Sequence, residues 1–308
     1  LEQVEIRNLQ DFNIVRDGLL SNELDAGVIV PSDVPVFENN ADFSVNSIIP
    51  GYSYPVVIFN NGQAPVDDAL VRQALNHAVD REVFLSIVGQ GRGEVTAVPV
   101  SSNMIGYTEE AQALGYSYDP DMAISLLNEA GYTDSDGDSI LDSDGEPLEL
   151  DLFVTPEFVT VRTAELLQAQ LAEIGVDVVI QQLEFAAFDE AVFFNQNYTM
   201  AVGSVFVDRP HVGRLIDALG SEGFFNSSAY NSPEADAALA ELAAATTTED
   251  TEAALLDALT IVMADAPVIP LFNLAETIIV SDRVSDVIVH PYQNAFRNIE
   301  LYDAYIAD

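Results

Sequence analysis

An α/β fold is predicted by three features of the sequence. Strand-like and helix-like segments alternate along most of the chain. The strand runs Val56-Val57-Ile58-Phe59 and Val268 to Leu274 are apolar at nearly every position, as strands covered on both faces must be. Leu148 to Leu183 reads as strand, helix and strand, a β–α–β unit. The 308 residues, 49% of them apolar, suffice for two domains with buried cores. Cysteine is absent, which removes disulfides, thiolate nucleophiles and cysteine-ligated metal centres together.

Val4 to Asn8 reads as a short strand, Asp11 to about Ser21 as a polar helix, and Asp25 to Val30 as a second strand. Val45 to Asn60 is extended, broken at Pro50-Gly51 and at Pro55. Asp67 and Asp68 are capping residues for a helix with Leu70, Val71, Ala74, Leu75, Ala78 and Val79 on one face. Asp80 caps a further helix that runs to Val88 and stops at Gly89. The glycines at 89, 91 and 93 follow no strand and open no helix, so they form no phosphate loop. Asp119-Pro120 puts a cap and a first-turn proline at the start of a helix that ends at Gly131.

The β–α–β unit then consists of a strand from Leu148 to Val154, a helix from about Thr160 to Ile174 closed by Gly175, and a strand from Val176 to Leu183. A helix from Ala186 to Asn195 and a strand from Tyr198 to Phe206 follow. Helices near Val212 to Leu219, Pro233 to Thr246 and Thr251 to Ala264, and strands from Val268 to Leu274 and Thr277 to Val280, complete the alternation. There is no repeat of fixed period and no low-complexity tract. The longest apolar run falls short of the roughly 18 residues a membrane span needs.

Fifty-one acids face ten bases, all of them arginine, giving a net charge of −41. Such a field repels phosphate backbones and anionic headgroups, which argues against nucleic acid and against membrane binding through basic patches. A salty or otherwise demanding extracellular setting explains the surface; a lineage with acidic, lysine-poor secreted proteins would read the same.

Five segments, in order, carry a family resemblance. They are VDDALVRQALNHAVDREVF (Val66 to Phe84), YSYDPDMAISLLNEAGY (Tyr116 to Tyr132) with DGEPLELDLFV (Asp144 to Val154), TAELLQAQLAEIGVDVVIQ (Thr163 to Gln181), YNSPEADAAL (Tyr230 to Leu239) and DAPVIPLF (Asp265 to Phe272). Together they resemble the family 5 extracellular solute-binding proteins, the receptors of dipeptide, oligopeptide and nickel ABC importers. The resemblance implies a two-lobed fold of the type II periplasmic-binding-protein class, in the large cluster with an extra domain, here with the first lobe incomplete. Residues 1–60 and 271–308 are then the remnant of the first lobe and 61–270 the second, with crossings near Ile58 to Asn61 and Pro267 to Phe272, and the chain reads as the carboxy-terminal portion of the family's length. It further implies capture of a peptide-like or other small polar solute by lobe closure, ABC permease subunits as partners, a monomer, and a place on the extracellular face, periplasmic or lipid-anchored.

In peptide-binding members an aspartate of the cleft stretch neutralises the ligand's amino group. Asp208, in Val207-Asp208-Arg209-Pro210-His211, is the matching position, while the family's tryptophan is replaced, with Ser204 near its place. Arg209 could clamp a carboxylate, or pair with one of the many surface acids. His211 and Asn60 complete the expected ligand-facing set; His77 and His290 show no metal-binding spacing. A secreted hydrolase of acidic, halophilic type is the alternative from another class, but no GxSxG elbow is present, and Asp67-Asp68 and Glu109-Glu110 read as caps and polar faces. Asn197-Tyr198-Thr199 and Asn226-Ser227-Ser228 are sequons.

Asp134, Asp136, Asp138, Asp142 and Asp144 place five aspartates in eleven residues, against about two acids expected from the chain's 51 in 308. Offsets 1, 3, 5 and 9 match a calcium loop of EF-hand type, with Ile140 at the backbone-carbonyl position. Ser139 stands where that loop has glycine and Gly145 where it has a bidentate glutamate. A structural calcium ion and a solvated acidic turn are the two readings.

Because the Debye length is about 10 Å at 0.1 M salt, repulsion among these carboxylates is only partly screened in dilute buffer. The melting temperature is expected to rise as sodium chloride goes from near zero to molar levels; a flat profile in a thermal scan would show that the acidity is no adaptation to salt.

Overall fold

The computed structural model describes residues 3–9, 11–49, 53–205, 212–289, 299–300 and 305–306. The chain begins with α1 (Phe12–Leu20), β1 (Ala26–Ile29), a 3-10 turn (Pro31–Asp33) running into α2 (Val34–Glu38), and β2 (Phe43–Ile48). Next come β3 (Ser53–Phe59), α3 (Ala69–His77), α4 (Arg81–Ile87), β4 (Gly93–Val95), α5 (Glu109–Gln112) and α6 (Pro120–Glu129). A hairpin of β5 (Asp142–Ser143) and β6 (Glu146–Pro147) precedes β7 (Glu149–Val154), α7 (Phe158–Ala172), β8 (Asp177–Gln182), α8 (Phe185–Asp189), a π-helical turn (Glu190–Phe194) and β9 (Met200–Val205). Then α9 (Val212–Leu219), α10 (Pro233–Ala244) and α11 (Thr248–Asp265) lead to β10 (Val268–Pro270), β11 (Phe272–Leu274) and β12 (Glu276–Ser281).

The capping logic holds at atomic level. Asp68 Oδ1 accepts from the Leu70 amide at 2.8 Å, Asp80 Oδ1 from Glu82 and Val83, and Asp119 Oδ1 from Met122 at 3.0 Å behind Pro120. In the β–α–β unit β7 and β8 pair in parallel from Glu149 with Asp177 to Val154 with Gln182, with α7 as the crossover.

Two sheets hold most of the described strands, and three two-stranded pairs stand apart from them. The larger runs β4-β11-β3-β9-β7-β8, with β10 also paired to β3; the smaller runs β1-β12-β2, antiparallel throughout. β3 is the spine of the larger unit. Val57 and Phe59 enter one core with α3, α4, α6 and α7, whereas Val56 faces a second core with α9, α10 and α11 and Ile58 a cluster with Phe188 and Tyr198. Val15, Leu19, Ile29, Val34, Phe37 and Ile279 make the separate core of the smaller unit.

Two expectations need correction. Val4 to Asn8 joins no ladder among the described residues, and Val4 and Ile6 are 49% and 79% exposed. Apolar alternation supplies side chains for a strand but not the partner that must take its backbone hydrogen bonds. The division at 60 and 271 also shifts. β3 and β11 belong to the larger sheet, so the chain passes between sheets at 48–53 and again at 274–276. The physical reason lies in Val56 to Phe59, four consecutive apolar residues that only a two-sided central position can bury.

The larger unit closes around two buried arginines. Arg81, 5% exposed, donates to the carbonyls of Pro270 (2.7 Å) and Tyr116 (2.9 Å) and to Asn76 Oδ1 (3.0 Å). Arg72, 6% exposed, holds the Asp265 carbonyl through Nε and Nη2 (3.0 and 2.6 Å) and the Val66 and Asp67 carbonyls through Nη1. Asn76 Nδ2 adds a bond to the Val268 carbonyl at 3.1 Å. Among the described residues no hydrogen bond joins Arg81 to a carboxylate, and burial pulls its pKa down to about 10. The planar fork matches carbonyls in several directions, which an ammonium cannot do. Replacing Arg81 by lysine is therefore expected to lower the unfolding free energy by about 3 kcal/mol or more in urea titration. The same change at exposed Arg162 stays within about 0.5 kcal/mol; equal effects at the two positions would remove the special role of the buried fork.

Candidate ligand-binding cleft

The carboxyl ends of β7, β8 and β9 share one edge of the larger sheet, since β7 runs parallel to both neighbours. β3 is antiparallel to β9 and starts at that edge, with Ser53 opposite Val205. β11 pairs with β4 up to Leu274 opposite Gly93, and the chain leaves for the smaller sheet just beyond. Both passages between units therefore lie at the edge where open α/β sheets place their ligands.

A cavity of about 1690 Å³ opens between this edge and the smaller unit. One side comes from Glu157 and Phe158 after β7, Phe185 after β8, and Val88 and Gln90 after α4; the other comes from residues 3–9, Phe12 and β1 with the turn before it. Phe158, Phe185 and Phe12 are 62%, 51% and 44% exposed, so an apolar lining stands open. Arg7 Nε and Glu5 Oε1 pair at 2.7 Å, which holds the Glu5 carboxyl below its usual range and lifts Arg7. Asp25 is bridged by Arg283 at 2.7 Å.

Of the ligand-facing residues expected from sequence, Asp208, Arg209 and His211 lie outside the described residues. Ser204 stands in β9 one residue before its end at the cleft edge. Asn60 follows the end of β3 that points away from the cavity and is not part of its wall. Its Nδ2 donates to the carbonyls of Gln196 (2.7 Å) and Tyr198 (3.0 Å), and its Oδ1 accepts from Gly62, so it fastens the far end of the sheet. Glu157, Phe158 and Phe185 were missed by sequence reasoning. The available signal was their position directly after two parallel strands.

In the acidic loop, Asp134, Asp136 and Asp138 bring carboxylate oxygens within 4.8 Å of one another, all exposed. Ser139 adopts φ 77°, the left-handed conformation that glycine would supply at this point of a calcium loop. Asp142 faces elsewhere: its carboxylate accepts from the Ser135 amide (2.9 Å) and hydroxyl (2.7 Å), which holds its pKa low. Asp144, at φ 55°, and Gly145, at φ 80°, form the two-residue turn between β5 and β6. Asp134, Asp136 and Asp138 likewise accept amides of the loop, from Gly137 and Ser139, from Asp138 and from Ile140, and it is these three that come together.

A family model described as bacterial extracellular solute-binding proteins, family 5 middle, matches residues 1–227. Heme-binding protein A of Haemophilus influenzae is 29% identical over 275 residues, 84% of this chain and 48% of that protein. Oligopeptide-binding protein AppA of Bacillus subtilis is 36% identical over 140 residues, 45% of this chain and 26% of that protein. The structure of AppA from B. subtilis with a nonapeptide superposes with a TM-score of 0.81 at 24% identity, covering 97% of this chain and 59% of that one. NikA from Brucella suis, in complex with Fe(III)-EDTA, gives 0.79 at 20%, covering 95% and 60%. At these identities the solved structures speak for the fold, and the chain spans about half or less of the length of the curated relatives it matches.

Proposed function

The chain belongs to the family 5 extracellular solute-binding proteins, and on that premise we propose that it forms part of the receptor of an ABC importer, capturing a peptide-like solute by closing two lobes over it. One observation carries the reading: a cavity of about 1690 Å³ lies where both passages between units meet the carboxyl edge of the larger sheet. Two units joined at one edge can close like a jaw while each keeps its own core. Pockets for single small molecules measure about 300–1,000 Å³, so this volume favours an extended oligomer over a lone metal chelate. Relatives named for oligopeptides and dipeptides support the same choice. The hydrolase alternative is not supported, since the relatives' names are those of binding proteins.

The same proposal places the protein on the extracellular face, periplasmic or lipid-anchored, working as a monomer with permease subunits. No helix among the described residues is long and apolar enough to cross a membrane. Calorimetry with short peptides on the complete protein is expected to show micromolar or tighter binding, with a fall in radius of gyration on saturation. Residues 1–308 alone are expected to bind more weakly, as they span about half or less of the length of the curated relatives. Turnover of the peptide, or binding with no compaction, would overturn the reading.

For the acidic loop we propose a structural calcium ion held by Asp134, Asp136 and Asp138, with the Ile140 carbonyl as a further oxygen. Three carboxylates so close repel one another unless a cation sits among them. With Asp142 engaged by Ser135 and no glutamate at the twelfth position, affinity falls in the weak, millimolar range of extracellular modules. Calcium is expected to raise the melting temperature of the wild type and not of Asp136→Ala. If neither responds, the loop is a solvated turn.

A further inference from the structure

Solute capture uses neither of the two sequons, Asn197-Tyr198-Thr199 and Asn226-Ser227-Ser228, and the fold treats them differently. Asn226 is spent on its own turn. Its Nδ2 donates to the carbonyls of Gly220 (3.0 Å) and Tyr230 (2.8 Å), and its Oδ1 accepts from the Ser228 hydroxyl (2.9 Å) and the Tyr230 amide (3.3 Å). Ser227 and Ser228 are buried beside it. A sugar on that Nδ2 would remove one of its two N–H groups and push a bulky substituent into a closed turn.

Asn197 is the opposite case. Its backbone amide is held by the Ala191 carbonyl at 2.8 Å, yet its side chain is exposed and makes no hydrogen bond among the described residues. Tyr198 is buried, with its hydroxyl on the Ser227 carbonyl at 2.8 Å, and alternation along an extended chain turns the residues on either side of it outward. Thr199 is half-buried, and its hydroxyl also has no partner among the described residues. The acceptor amide and the hydroxyl two positions on are therefore both open. Gln196, at φ 47°, fixes the turn before them by donating from Nε2 to the Asn226 carbonyl at 2.9 Å and offering its own carbonyl to Asn60. Phe194 and Phe224, the most exposed phenylalanines among the described residues at 80% and 87%, stand on the two turns which that bond joins. Rings left in water there gain cover from a bulky group rooted on Asn197. None of these residues lines the cavity, which opens at the other end of β3 and β9.

We propose that Asn197 is an N-glycosylation site, used on the extracellular face where the reading above places the protein, and that Asn226 stays unmodified. The donor is a polyprenyl-phosphate-linked oligosaccharide: the bond from Nδ2 to the sugar's first carbon forms, the bond from that carbon to the phosphate oxygen breaks, the lipid phosphate leaves and Nδ2 gives up one proton. The glycan shields the two rings and leaves the cleft and both passages clear.

The test is peptide mass spectrometry of the complete protein isolated from its native host. Sugar mass is expected on the peptide carrying Asn197, with fragment ions placing it on that residue, and none on the peptide carrying Asn226. Asn197→Gln and, separately, Thr199→Ala made in the same host are each expected to lose it; the second keeps the asparagine and removes the hydroxyl that completes the sequon. An unmodified Asn197 in the wild type, sugar on Asn226, or sugar retained in Thr199→Ala overturns the inference. Ligand capture is decided separately by the calorimetry above, so the receptor reading stands or falls apart from this result.

Discussion

Two guanidinium groups decide where the last part of the larger unit lies, and with it the floor of the cleft. α11 ends at a left-handed Ala266, and its last carbonyls would face a buried environment without donors. Arg72 supplies those donors from α3, holding the Asp265 carbonyl with two nitrogens. Five residues on, Arg81 takes the Pro270 carbonyl, and Asn76 between them takes Val268. The returning segment is thereby pinned against β3 in the register Val268 to Ile58, and β11 and β12 continue from it. In a chain of 51 acids it is notable that these two bases serve backbone carbonyls. A carboxylate partner would bring a second charge to desolvate, whereas a carbonyl dipole already belongs to the backbone.

The same cluster explains why the segment from Val66 to Phe84 is so telling as a sequence. Asp68 and Asp80 were legible as caps because their role is local. Arg72 and Arg81 were not, since their partners lie up to 193 positions away and a string gives no sign that an arginine is buried. β3 was legible as a buried strand from four apolar residues, but its membership in the larger unit depended on both faces being covered by helices that follow much later. The hairpin of β5 and β6 is the opposite case. Asp144-Gly145 is a strong two-residue turn signal, obscured because the neighbouring aspartates drew Asp144 into a cation loop. Of the cleft, the strand-end positions were readable in principle, while the opposing wall from residues 3–9 and β1 was not.

The passages between units are anchored firmly on the side of the larger sheet. A Cβ on Gly93 would meet the Asn273 carbonyl at 2.3 Å, so only glycine lets β4 press against β11 here. Asn273 Nδ2 reaches Glu94, whose carboxylate also holds Ser102, and the Ala275 amide donates to the Arg92 carbonyl. The other passage is held by Asn103, which donates to the Ile49 carbonyl at 2.7 Å.

Among the described residues a side-chain ion pair spans the two units in this arrangement: Arg92 and Glu38 meet at 2.9 Å. Both remain partly open to water, so the pair contributes no more than about 1 kcal/mol and is screened by salt. Among the described residues the two units keep separate cores: Phe37 and Ile279 belong to the small cluster and Leu274 and Phe272 to the large. Two separate cores, two short passages at one edge and a weak bridge are the arrangement that the closure proposed above requires.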